Sequence, residues 1–293
     1  MSEVRRSGLV RKERLNVVWE RAVEAYSQGK LTYGTDKLIA LSGIAKWYQR
    51  KTGDSYLAGI WAASLAQHLA WQTLSQEGVD GKHVQKPSTY QAPSWSWASQ
   101  NRPVVYAFSP WPLSARSKNY VTLVDAQIQT IPPDSLGQVT SGTLRLNIPC
   151  IWRSAWYRHA DGTYYIDSPW KGDGDPIFKG YFDHDPELKE LMLYYLPLVN
   201  HWEGHYHHIE GMMLEGTGER GRFKRSGYWQ LVDDANRGSK KDLAWCDRAF
   251  ENYCDGIVSA GYERFHVCKE DELYESVAGV DHDGEKRYVI SLV

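Results

Sequence analysis

An α+β architecture, in which an N-terminal helical segment packs on a C-terminal antiparallel β-sandwich or barrel-like unit, is predicted by three observations. Apolar residues up to about position 71 recur with helical spacing. Beyond about position 94 they recur in short, often alternating runs separated by turn residues. The chain of 293 residues is long enough to bury a sizeable core without disulfides or metals.

The first helix begins near Asn16, where Val18, Trp19, Ala22, Val23 and Tyr26 form one stripe, and ends near Gly29. A second, N-capped by Thr35 or Asp36, turns Leu38, Leu41, Ala45 and Tyr48 inward before the Lys51-Thr52-Gly53-Asp54 break. A third helical region spans Tyr56 to Trp71, with Ile60, Trp61, Leu65 and Leu69 inward and His68 one residue off the stripe, at an exposed or boundary position. Gly78 to Ser88 reads as a connector, so the chain divides into a helical part, 1–85, and a β-rich part, 86–293, which together make one compact unit.

In the second part, Ser94-Trp95-Ser96-Trp97-Ala98-Ser99 alternates small polar with large aromatic residues, the period of a half-buried strand. Further strands are expected at Val104 to Phe108, Val121 to Ile128, Gly142 to Ile148, Gly162 to Ile166, Met192 to Leu198, Ile209 to Leu214, Tyr228 to Val232 and Tyr288 to Val293. One helix is expected near 242–253, where Leu243, Cys246, Ala249, Phe250 and Tyr253 share a face.

Thirteen Trp outnumber six Phe, and with nineteen Tyr these rings must fill cores, line pockets or sit at interfaces. A formal charge of −2 offers no general field for a nucleic-acid backbone, so no nucleic-acid partner is expected. The basic N-terminal stretch reads as a solvated arm. No apolar run approaches the ~18 residues of a membrane span and no signal-peptide pattern opens the chain, so a soluble, cytoplasmic protein without a membrane partner is expected. Cys150, Cys246, Cys254 and Cys268 have neither CxxC nor zinc-ribbon spacing and read as reduced thiols.

Several segments are familiar in their order. Trp19, Tyr26-Ser27, Leu31-Thr32 and Asp36 to Ala45 come first, followed by Tyr56-Leu57-Ala58-Gly59-Ile60-Trp61, Leu69-Ala70-Trp71 and Tyr90-Gln91-Ala92-Pro93-Ser94-Trp95-Ser96-Trp97-Ala98-Ser99. Gly211 to Leu214, Arg225-Ser226-Gly227-Tyr228-Trp229 and Val289 to Val293 close the series. Together they resemble the region that follows the HET domain in fungal heterokaryon-incompatibility proteins. The resemblance implies a chain lacking the HET domain itself, which lies upstream in that family and triggers incompatibility, so that role is not carried over. It supplies no catalytic residues.

The densest chemical candidate is His201-Trp202-Glu203-Gly204-His205-Tyr206-His207-His208-Ile209-Glu210. On a strand, His205 and His207 share one face while His208 and Glu210 share the other. The segment admits a polar hairpin loop, a metal site whose third ligand lies elsewhere, or acid–base chemistry by His205, His207 and Glu210. The catalytic candidates are these three, with no metal or cofactor assigned. A ligand would be lined by Trp95, Trp97, Trp152, Trp156, Tyr165 and Trp170, although Trp95 and Trp97 equally suit the helix–sheet core.

The carboxylates between Asp167 and Glu187, Asp183 among them, read as solvated turns. Gly216 to Gly221 reads as a hairpin loop between strands; Arg220, Arg222, Lys224 and Arg225 make it basic and able to contact anions. Nucleophile elbows and phosphate loops are not signalled. Two functions stand: a HET-protein-derived binding or regulatory module recognising a protein or small hydrophobic metabolite, and an enzyme of fungal specialised metabolism that uses an aromatic-lined pocket for cyclisation, isomerisation or other acid–base chemistry.

Overall fold

In the computed structural model, the first helix, α1 (Glu3–Ser27), buries Trp19 and Val23 one turn apart and leaves Val18 about half exposed at 47%. The inward stripe is thus narrower than the sequence suggests. The second, α2 (Lys37–Thr52), buries Leu38, Leu41, Ala45 and Tyr48 as the spacing requires. It is entered through a 3-10 turn over Gly34–Asp36, and Asp36 makes no side-chain capping bond. The structure describes residues 3–29, 33–74, 86–106, 117–158, 164–166, 177–184, 190–203, 206–234, 266–268, 273–281 and 286–293.

The expected third helix is instead a short hairpin, β1 (Tyr56–Leu57) with β2 (Ile60–Trp61), a 3-10 turn, and a five-residue helix α3 (Leu65–Leu69). The hairpin wins because its turn serves two indoles. The Gly59 carbonyl accepts from Trp19 Nε1 at 3.2 Å and from Trp97 Nε1 at 2.9 Å. Gly59 has φ +102°, and a Cβ there would lie 2.6 Å from the Trp97 ring nitrogen, so only glycine fits. Nor is His68 at the surface: it is 0% exposed, and its Nδ1 accepts the Trp61 backbone N–H at 3.1 Å.

A second correction concerns Ser94 to Ser99, which is a turn followed by a 3-10 helix (Trp97–Ser99), not a strand. Ser96 decides this locally: its hydroxyl accepts from the Ala98 N–H at 3.2 Å and donates to the Ala58 carbonyl at 2.6 Å. Serine side chains that bond nearby backbone compete with strand ladders. Trp95 and Trp97 still end in the apolar cluster between helices and sheet, where the Trp95 carbonyl accepts from Trp71 Nε1 at 3.1 Å. Beside them β3 (Trp71–Thr73) pairs with β4 (Val104–Tyr106).

Among the described residues, the remaining strands form one twelve-stranded sheet. In chain order they are β5 (Lys118–Asn119), β6 (Thr122–Thr130), β7 (Val139–Ile148), β8 (Ile151–Arg158), β9 (Tyr164–Ile166), β10 (Ile177–Phe182), β11 (Glu190–Glu203), β12 (Tyr206–Gly216), β13 (Arg222–Asp234), β14 (His266–Cys268), β15 (Ser276–Val280) and β16 (Lys286–Leu292). The path runs β14-β8-β11-β12-β13-β16-β7-β6 and does not close among the described residues, so the chain is α+β with one large, mainly antiparallel sheet. The sheet forks. Along one edge of β13, Arg222 and Phe223 pair in parallel with β16, whereas Gly227 to Val232 pair antiparallel with β10. Along one edge of β11, Glu190 to Tyr195 pair with β8 and Val199 to Asn200 with β5.

Alternation along the central strands loads both faces. Met212 and Tyr228 join the cluster that contains Trp19, Leu38 and Ile290, so the apolar contact is continuous across the division at residue 85. Met213 and Trp229 join a second cluster with Trp152, Tyr195 and Ile209 on the opposite face. The helix expected near 242–253 lies outside the described residues.

The two faces of the helix–sheet junction are joined through Arg225, which the sequence places in a basic hairpin loop but which is fully buried. Its guanidinium donates to Asp183 Oδ2 at 2.8 Å, to the Leu69 carbonyl at 2.8 Å and to the Trp71 carbonyl at 2.5 Å, and lies 3.4 Å above the Trp71 ring. Asp183, expected in a solvated turn, is equally buried. Its backbone N–H also donates to the Ser226 carbonyl at 2.9 Å. Removing one member of a buried, hydrogen-bonded ion pair leaves the other charge uncompensated. Asp183→Ala is therefore expected to lower the unfolding free energy by about 3–5 kcal/mol in urea denaturation, well beyond the ~0–1 kcal/mol of a surface pair.

Candidate functional site

The histidine-rich segment forms the hairpin of β11 and β12, and pairing rather than proximity in sequence selects its members. His201 lies opposite His208 across the ladder, and Glu210 lies two residues beyond His208 on the same face. A bulge between Pro197 and Val199 sets the register on β11. The His201 and His208 rings stack at 4.9 Å between centroids and 8° between planes, and His201 Nε2 is 3.8 Å from Glu210 Oε1. One donor atom from each of the three lies within 4.8 Å of the others. Burial and the Glu210 carboxylate beside it push the Tyr228 phenol well above its ordinary value.

Of the expected acid–base trio, Glu210 therefore belongs to a cluster with His201 and His208, on the face assigned to His208. His205 lies outside the described residues, and His207 is placed on β12 by its backbone alone. The signal for His201 and His208 was present in composition, but their meeting depends on a strand register that one strand's periodicity does not fix.

The expected ligand-lining rings divide similarly. Trp95 and Trp97 are packed in the helix–sheet cluster, and Trp152 lies in the second cluster, 5.3 Å from Trp229 between centroids. Trp156 and Tyr165 are on the paired strands β8 and β9, with side chains outside the described set, and Trp170 lies outside it altogether.

A cleft of about 410 Å³ opens where the 86–94 segment crosses β7 and the start of β13. Gly142 permits the crossing, since a Cβ there would lie 2.4 Å from Pro93 Cγ. Lys86, Arg222 and Lys224 line the cleft together with hydroxyls such as Ser88, Thr89 and Thr143, and among the described residues no Asp or Glu lines it. Arg222 also pairs with Glu219 at 2.6 Å. Behind it, the buried Lys37 ammonium donates to Gln91 Oε1 at 2.7 Å, to Asn101 Oδ1 at 3.1 Å and to the carbonyls of Ala98, at 3.2 Å, and Gln100. Gln91 and Gln100 line the cleft, so Lys37 fixes part of its wall. Burial lowers the Lys37 ammonium to about 8.

A separate buried acid faces His68. Because His68 Nδ1 accepts from Trp61, its ring proton sits on Nε2, 3.7 Å from Glu20 Oε1. Burial, reinforced by Glu24 and opposed by Arg21, pushes Glu20 up to about 8.

Compared with models of known protein families and with curated proteins, the chain matches none. Among the described residues, no helix is long and apolar enough to cross a membrane.

The Glu20 shift has a defined consequence for stability. A carboxyl bound more tightly to its proton in the folded chain than in the unfolded one destabilises the fold as pH rises from its ordinary value of 4.5 to about 8. Glu20→Gln should abolish that component. Thermal melts are expected to show the variant gaining on the wild type between pH 5 and pH 8.5, with the gap constant above that range.

Proposed function

We propose that this chain is a ligand-binding or regulatory module, of the kind implied by its resemblance to the region that follows the HET domain, and that it takes a small molecule bearing an anionic group into the cleft beside β7 and β13. One observation carries this reading: Lys86, Arg222 and Lys224 converge on a cleft whose described lining residues include no Asp or Glu. Hydroxyl groups from the 86–94 segment and β7 complement the cations as hydrogen-bond donors. The volume, about 410 Å³, suits a small molecule. The burial of Trp95, Trp97 and Trp152 favours a polar ligand here over a wholly hydrophobic one.

Isothermal titration with inorganic phosphate, citrate and tripolyphosphate tests the reading. Affinity is expected to increase with probe charge and to fall with added salt, because the cations are exposed enough to be screened. Lys86→Glu/Lys224→Glu should weaken the best probe at least about tenfold, as loss of two charge-assisted contacts requires. Equal binding by wild type and double variant refutes it.

A further inference from the structure

We propose that His201, His208 and Glu210 form a binding site for one divalent transition-metal ion of the zinc, cobalt or iron(II) class. None of the three lines the basic cleft, so this site is independent of the function proposed above. Two imidazoles and one carboxylate form an N2O donor set that such ions prefer, whereas calcium and magnesium favour all-oxygen shells.

The backbone makes the arrangement. An antiparallel ladder brings His201 and His208 directly opposite each other, and alternation places Glu210 on the same face. With metal–ligand bonds of about 2.0–2.1 Å, donor atoms around a tetrahedral ion lie roughly 3.3 Å apart. The three donor atoms already lie within 4.8 Å of one another, and the His201–Glu210 separation is 3.8 Å. Closing the set requires the two stacked imidazole rings to turn until their nitrogens converge on one point, a side-chain change within two fixed strands.

Position within the fold favours a cation as well. Glu210 is 2% exposed and His201 6%, at a helix-facing surface of the sheet shared with Met212 and Tyr228. A carboxylate buried there, beside the Tyr228 hydroxyl, is further stabilised by coordination to a metal. Three protein ligands leave a fourth position for water or an exogenous ligand, the arrangement of an open rather than a closed zinc site.

The full chain, prepared without a polyhistidine tag and freed of metal by a chelator, is titrated with Zn²⁺ and with Co²⁺. One ion per chain is expected, with a visible cobalt band and a raised melting temperature. Glu210→Gln and His208→Ala are each expected to weaken binding at least about 100-fold, more than outer-shell changes generally do. His207→Ala should bind as the wild type does. X-ray absorption of the zinc-loaded wild type, which needs no variant to fold, should show two imidazole ligands. Sub-stoichiometric binding, binding unchanged in both ligand variants, loss of binding in His207→Ala with His208→Ala unaffected, or a zinc shell without two imidazoles each overturns the site.

Discussion

The buried pair of Arg225 and Asp183 is the constraint around which the structure is arranged. A guanidinium taken out of water costs several kcal/mol unless its donors are satisfied. Here the acceptors come from Asp183 after β10, from the Leu69 carbonyl at the end of α3 and from the Trp71 carbonyl in β3. Each lies far from Arg225 in sequence, so satisfying one charge fixes two distant stretches, 69–71 and the end of β10. The Arg225 backbone N–H adds a third by donating to Ser94 Oγ at 3.0 Å, and the Ser94 hydroxyl in turn donates to the Val293 carbonyl. The same guanidinium that forks to Asp183 also lies over the Trp71 ring, 3.4 Å from its centroid.

Around that junction the aromatic rings act as spacers with polar handles. Trp19 and Trp97 both anchor on Gly59, and Trp71 anchors on the Trp95 carbonyl. An indole buries a large apolar area but carries one N–H that favours a carbonyl partner. Loops rich in backbone acceptors therefore suit it better than ladders whose carbonyls are already paired. This explains why the indole-anchoring segments at 56–61 and 94–99 are a tight hairpin and a turn with a short helix, although their residue spacing resembles longer regular elements.

The candidate sites depend on the same scaffold in different ways. The basic cleft lies where the 86–94 segment is held by Lys37 on one side and by Ser94 on the other. The His201–His208–Glu210 cluster instead depends on the β11–β12 ladder and its bulge. One site is built from loops and strand ends, the other from the middle of a sheet, which is why they are chemically separable.

By itself, the sequence determined the elements whose information is local. The stripe Leu38, Leu41, Ala45 and Tyr48 specifies α2, and alternation locates β7, β12 and β16 to within a few residues. The glycines at 216, 218 and 221 mark the hairpin loop between β12 and β13. Tertiary structure alone decided what depends on distant partners. Asp183 and Arg225 are charged residues whose local surroundings predict exposure, and only their mutual satisfaction makes burial tolerable. His68 leaves its expected surface position because a backbone N–H in the folded-back hairpin needs its ring. His201 meets His208 and Glu210 because pairing register belongs to two strands together, whereas periodicity in sequence describes only one.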